Sequence, residues 1–216
     1  MKQPLSADLP FAEGYVLPID KPLGWTSSDV VRKIKVMMRR LGHRKIKVGH
    51  AGTLDPLATG ILIVCLGRAT KQAEALQAQP KEYLTTLALG ATTPSFDMEH
   101  PVDRTFPYEH ITRQMLEEAL RTMEGEQMQL PPVYSAKSID GKRAYEYARQ
   151  GTEVEMRRAP VTVYGMRLES FEPPRATLRI RCSKGTYIRS IARDLGEKLG
   201  SGAYLTALCR TRSGDF

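Results

Sequence analysis

The stretch from Thr59 to Leu66, TGILIVCL, limits the possible folds of this chain most severely. It is apolar, rich in branched side chains and punctuated by Gly60 and Gly67, which reads as a strand buried in a core. The other elements must therefore supply a sheet around it. Tyr15 to Ile19 is a second short strand, followed by turn punctuation at Pro22 and Gly24 and by N-cap candidates from Thr26 to Asp29. Val30, Ile34, Met37, Met38 and Leu41 then recur at helical spacing until Gly42, where a left-handed cap belongs. Glu82 to Leu89 is a strand, and Thr112 to Met123 is a capped amphipathic helix closed by Gly125. Val161 to Phe171 and Ala176 to Cys182 are paired strands, and Tyr187 to Leu199 is a helix. Strands and helices do not alternate strictly, so the pattern favours an α+β domain with a largely antiparallel sheet over a doubly wound parallel one. Residues 1–13 lack periodicity and read as a loosely held arm, with order beginning at Gly14 and one domain over residues 14–216.

Charge narrows the partners. The 216 residues carry 32 Lys plus Arg against 24 Asp plus Glu, a net +8 that attracts polyanions. No apolar run approaches the roughly 20 residues of a membrane span, and residues 1–12 lack the apolar middle of a signal peptide, so a cytoplasmic protein is expected. Cys65, Cys182 and Cys209 are odd in number and widely separated, which suits reduced thiols. His43, His50, His100 and His110 show no ligand spacing, so no metal site is expected.

The segment GHAGTLDPLATG sets Asp55 in a glycine-rich loop just before the buried strand, where a rigid element would fix a reacting carboxylate. Alone, an Asp-Pro in a loop more often caps a turn. A second loop, CSKGTYIRSIARDLG, sets Arg189 at a helix start behind Tyr187. An arginine meeting Asp55 would keep the carboxylate ionised, whereas an arginine at a helix start is ordinarily a surface cation. Tyr83 could stack on a base taken out of its helix, and His50 could fill the space that base vacates, although a lone Tyr or His is usually structural. Between Arg32 and Lys47 there are eight Lys or Arg residues and no acid, which reads as a phosphate-facing surface. Lys137, Lys142 and Arg143, in a tyrosine-bearing loop whose last third reads as a helix stopped by Gly151, could grip an RNA arm from another side.

Together GHAGTLDPLATG and CSKGTYIRSIARDLGEKLGSGA resemble the TruB family, bacterial pseudouridine synthases that modify the T-loop uridine at tRNA position 55, over residues 14–214. The resemblance implies a pseudouridine synthase fold with RNA-binding loops, and Asp55 as catalytic aspartate with Arg189 as its ion-pair partner. It implies Tyr83 stacked on the target base, His50 inserted where that base leaves, Tyr187 and Leu208 in the substrate pocket, and Lys21 and Pro22 supporting the active-site loop. The segment from Gln127 to Gly151 resembles the family's loop that closes over bound RNA. The implied reaction is an isomerisation that needs no cofactor, on the T-arm of tRNA. Nothing in the sequence suggests an obligate dimer, so a monomer is expected, and the compact size without long basic tails argues against a guide RNA. Many family members continue into a PUA domain; none is expected after Phe216, which would leave tRNA affinity to the catalytic domain. A guide-dependent relative, a tRNA-binding protein without chemistry and a base methyltransferase are the rival classes. The last would require a glycine-rich nucleotide loop after its first strand, a pattern DKPLGWTSSD does not offer.

Overall fold

The computed structural model describes residues 9–135, 138–139, 142–143, 147 and 155–216. Lys137 and the helix expected ahead of Gly151 fall outside these residues, as do the side chains of Lys142 and Arg143. The stretch read as one domain groups into two compact units. One comprises the chain up to Glu82 together with Cys209–Phe216, and the other comprises Tyr83–Leu208.

The first unit holds β1 (Tyr15–Lys21), α1 (Ser27–Arg40), β2 (Val48–His50), β3 (Ala58–Leu66), a 3-10 turn (Gly67–Gln72) and α2 (Ala73–Ala78). It also takes the last residues of a long final strand, Ala203–Ser213. β3 is the buried strand foreseen from TGILIVCL. It pairs antiparallel with β1, from Tyr15 opposite Leu66 to Lys21 opposite Gly60, and with β2, where His50 faces Val64. Ala51, Ile63, Cys65 and Ala69 pack into one cluster beneath Val16, Ile61, Ala73 and Leu76. Helix α1 starts where its caps dictate: the Thr26 hydroxyl accepts from the Asp29 amide while the Asp29 carboxylate accepts from the Thr26 amide. Such a capping box contributes about 1 kcal/mol. Val30, Ile34 and Met38 form the inward stripe, and the helix ends at Gly42, whose φ is +90°. Order begins before Gly14, because Phe11 is fully buried and meets the rings of Tyr15 and His43 edge-on at 5.6 and 5.4 Å.

The second unit contains most of β4 (Lys81–Leu89), the short pair β5 (Ala91–Thr92) and β6 (Arg104–Thr105), α3 (Arg113–Thr122) and β7 (Gly125–Gln129). The pair β8 (Ser138–Ile139) and β9 (Lys142–Arg143) follows, then β10 (Ala159–Glu172), β11 (Arg175–Cys182), α4 (Ile188–Lys198) and the start of β12 (Ala203–Ser213). Its sheet runs β12-β4-β11-β10-β7. β10 pairs antiparallel with both β11 and β7. Alternation does the work here: Ala176, Leu178, Ile180 and Cys182 of β11 are all fully buried, as the period-2 geometry of a strand requires. Helix α4 buries Ile188, Ile191, Ala192 and Leu195, and α3 buries Leu116, Ala119 and Leu120. The architecture is the α+β arrangement with a mostly antiparallel sheet that the mixed order of elements suggested.

Gly60 marks the tightest approach in the first unit. Its φ is +93°, and a Cβ there would lie 2.3 Å from the carbonyl oxygen of Arg210. Gly60→Ala is therefore expected to cost about 3 kcal/mol or more through backbone strain and overpacking. Urea denaturation measures this, and wild-type stability in the variant would contradict the packing.

Candidate active site

Asp55 sits half-buried in the loop that joins β2 to β3. The loop buries Ala51 and Leu54, and its backbone groups are claimed from outside. The Ser27 hydroxyl, on the first residue of α1, donates to Leu54 O at 3.1 Å and accepts from Leu54 N at 2.9 Å. Gly24 N donates to Pro56 O at 2.8 Å, and Ala58 N closes the turn on Asp55 O at 3.0 Å. Lys21, the last residue of β1, is fully buried and sends its ammonium to the carbonyls of Pro22 at 3.0 Å, Trp25 at 2.5 Å and Pro56 at 3.3 Å. Arg210 of β12 reaches Gly52 O at 3.1 Å and Thr53 O at 3.4 Å. Each residue flanking Asp55 is thus fixed by a different element, as aiming one carboxylate demands.

The electrostatics follow from this arrangement. Burial pushes the Lys21 ammonium below its ordinary value; the Asp55 carboxylate opposes that shift and Arg210 adds to it. His50, at the end of β2, is likewise held below the usual imidazole value, mainly by burial and then by Arg210. Its Nδ1 is buried without a hydrogen-bond partner among the described residues. A neutral imidazole follows at physiological pH, suited to packing against an aromatic base rather than to ion pairing. Lys21, Pro22, His50 and Asp55 therefore all belong to one neighbourhood of the first unit.

Tyr83, Arg189, Tyr187 and Leu208 belong to the second unit. Arg189 is 4% exposed and pairs with Asp97, which is 8% exposed, at 3.6 Å; its Nη1 also donates to Ser95 O at 3.3 Å. Asp97 was not singled out from the sequence. It sits in a tight turn, with Ser95 Oγ donating to its carboxylate at 2.6 Å and Glu99 N at 2.9 Å. Phe96, at a left-handed φ of 59°, lies beneath the Arg193 guanidinium at 5.4 Å. A bulky residue in that conformation is strained, and such strain collects at functional sites. Tyr187, the N-cap residue of α4, is gripped on both backbone groups by the Gln129 side chain: Gln129 Nε2 donates to its carbonyl at 3.1 Å, and its amide donates to Gln129 Oε1 at 2.8 Å. Tyr83 is an inward residue of β4 at 9% exposure, and Leu208 is half-buried on β12.

Among the described residues no three His, Cys, Asp or Glu side chains gather as metal ligands, and no helix is long and apolar enough to cross a membrane. Ser27, Gln129 and Arg210 also escaped the sequence reading. Ser27 looked like one more capping residue, and the other two act on backbone atoms distant in sequence.

The His50 shift gives a pH dependence of definite sign. The unfolded chain takes up the imidazole proton near 6.5 while the folded chain resists it, so this stabilising term is complete above pH ~6.5 and is lost as pH falls below it. An NMR titration of the folded protein should give a His50 midpoint below 6.5, and a midpoint above it would contradict the buried neutral ring.

Comparison with known proteins places the chain in one family. The model of the TruB family pseudouridylate synthase N-terminal domain matches residues 39–188. The protein named tRNA pseudouridine synthase B from Phocaeicola vulgatus is 56% identical over 206 residues, covering 95% of this chain and 88% of its own length. The protein of the same name from Flavobacterium johnsoniae is 47% identical, with 95% and 91% covered. Among solved structures, a chain of a Cbf5-Nop10-Gar1 complex superposes with a TM-score of 0.72 at 30% identity, over 97% of this chain and 51% of that one. A chain of an H/ACA RNP bound to a substrate RNA containing 2'-deoxyuridine gives 0.66 at 29%, over 92% and 47%. The chain spans about half the length of those two solved chains. It belongs to the TruB family of pseudouridylate synthases.

Proposed function

We infer that this chain converts uridine to pseudouridine in tRNA, at the T-loop uridine of position 55, and that Asp55 is the reacting carboxylate. The observation that carries this reading is the loop itself. A half-exposed carboxylate is presented by a backbone that Lys21, Ser27, Gly24 and Arg210 hold residue by residue. Relatives about half identical over nearly the whole chain carry the name tRNA pseudouridine synthase B.

The reaction balances without an external reagent. The bond between uracil N1 and ribose C1′ breaks, the ring turns in place, C5 joins C1′, C5 gives up its proton and N1 gains one. Asp55 acts by covalent attack on the sugar or base, or by removing the ribose 2′ proton, and either role requires an ionised, well-aimed carboxylate. Uracil leaves as a resonance-stabilised anion, so the chemistry asks for no metal or redox cofactor. In this reading Arg189 is the cation that serves Asp55, and Tyr83 stacks on the extruded base. His50 fills the vacated stack, Tyr187 and Leu208 line the pocket, and Lys21 and Pro22 support the loop. The neutral His50 ring suits its role, since a stacked base returns roughly 1 to 3 kcal/mol of the unstacking cost.

Substrate affinity rests on the basic surface. Arg32, Lys33, Lys35, Arg39, Arg40, Arg44, Lys45 and Lys47 are all exposed, and Arg32 pairs with Asp29 at 3.3 Å. Ordinary solvated faces mix both signs; this one offers phosphate contacts. The T-arm of free tRNA is the proposed partner, bound by a monomer in the cytoplasm. The solved H/ACA neighbours suggest a guide-dependent alternative, but they are at most 30% identical, against 47–56% for the tRNA synthases cited above.

Asp55→Asn is expected to slow single-turnover isomerisation by on the order of a thousandfold or more while tRNA binding persists, because an amide is neither nucleophile nor base. Release of C5 tritium measures it, and near-normal turnover would end the assignment. Replacing Lys35, Arg39, Lys45 and Lys47 with Gln should weaken all tRNAs alike and lower the salt slope by roughly 0.9 per lost duplex phosphate contact. Filter binding across a salt series checks this; an unchanged slope places the face away from RNA.

A further inference from the structure

Arg210 is 1% exposed, the largest fully buried side chain of the described residues. A guanidinium brings five N–H donors and no acceptor and stays charged, so burying it is costly unless the donors are met. Among the described residues its hydrogen bonds all go to backbone carbonyls. Nε donates to Ile61 O at 2.6 Å, Nη1 to Thr53 O at 3.4 Å and Nη2 to Gly52 O at 3.1 Å.

The location of those carbonyls matters more than their number. Gly52 and Thr53 open the loop, and Ile61 lies in β3 just beyond it, so one planar fork clasps both ends of the segment whose middle carries Asp55. Two glycines permit this. Gly60 lacks the Cβ that would strike the Arg210 backbone at 2.3 Å, and Gly52 offers its carbonyl to the guanidinium from a φ of +103°, a conformation that L side chains rarely adopt. A purely structural cation could have been anchored anywhere on the sheet, whereas this one is spent on the short segment around the carboxylate.

We propose that Arg210 is a positioning residue for catalysis: by clasping the carbonyls of Gly52, Thr53 and Ile61 it sets the aim of the Asp55 carboxylate, and so acts on the chemical step rather than on RNA binding. The charge itself is felt in the same place, since it lowers the proton affinity of both Lys21 and His50. Misplacing a reacting group by about an ångström can cost on the order of a hundredfold in rate, and a lost clasp acts on that scale. The proposal rests on Asp55 being the reacting group.

The test uses the full chain and unmodified tRNA, comparing wild type, Asp55→Asn, Arg210→Lys and Arg210→Met by single-turnover rate at saturating tRNA, tRNA Kd and folded fraction. Arg210→Met should lose on the order of a hundredfold in rate, and Arg210→Lys, which keeps a cation but cannot span the fork, roughly tenfold, both with Kd within about threefold of wild type. Partial rescue by Lys in a folded protein is the signature of positioning. If Arg210→Met does not fold, Arg210→Lys decides alone. Wild-type rates in the folded variants, a loss confined to Kd, or failure of both variants to fold would overturn the proposal. An active Asp55→Asn instead overturns the reading beneath it, while an inactive Asp55→Asn beside normal Arg210 variants overturns the clasp alone.

Discussion

The first unit depends on the capture of loop carbonyls by buried cations. Lys21 and Arg210 are both essentially inaccessible to solvent, and both spend their donors on backbone oxygens at or next to the Asp55 loop. Neither side could be buried alone: orphaned carbonyls and unpaired cations each carry a desolvation cost of several kcal/mol that only the other removes. Mutual satisfaction therefore holds the loop in place, although its Gly52 and Pro56 have little to pack. Burial, with Arg210 adding to it, holds His50 neutral, while the Asp55 carboxylate favours the charged form of Lys21.

A similar economy holds Arg189 and Tyr187 in the second unit. The Thr93–Asp97 turn carries its acid to Arg189 by short side-chain bonds, and a single glutamine amide fixes both backbone groups of Tyr187. In each unit polar side chains from regular elements hold irregular backbone, which is how a rigid scaffold positions residues on loops. The eight cations from Arg32 to Lys47 stand exposed on α1 and the segment after it, a positive surface of the kind that attracts polyanions.

The sequence disclosed those elements whose own residues suffice to define them. Val30, Ile34 and Met38 with the Thr26–Asp29 box announced α1, and TGILIVCL announced β3. Strand β12 was illegible because its buried positions include Arg210, a charge that breaks the apolar alternation and makes sense only beside carbonyls some 150 residues earlier. Asp97 was missed for the same reason, since its partner lies on α4. Phe11 stood in a segment without periodicity, and its burial depends on Tyr15 and His43 meeting its ring. Local propensity reveals elements, while long-range polar pairing, which carries much of the site, leaves no spacing in the chain.

Chemistry at uracil C5 separates an isomerase from a protein that only binds tRNA. Purified protein, given unmodified tRNA tritiated at uridine C5 and no added cofactor, should release tritium in step with pseudouridine formation at the T-loop uridine and stop at one equivalent per tRNA. Tight tRNA binding with no tritium release would contradict it and leave a tRNA-binding protein without chemistry.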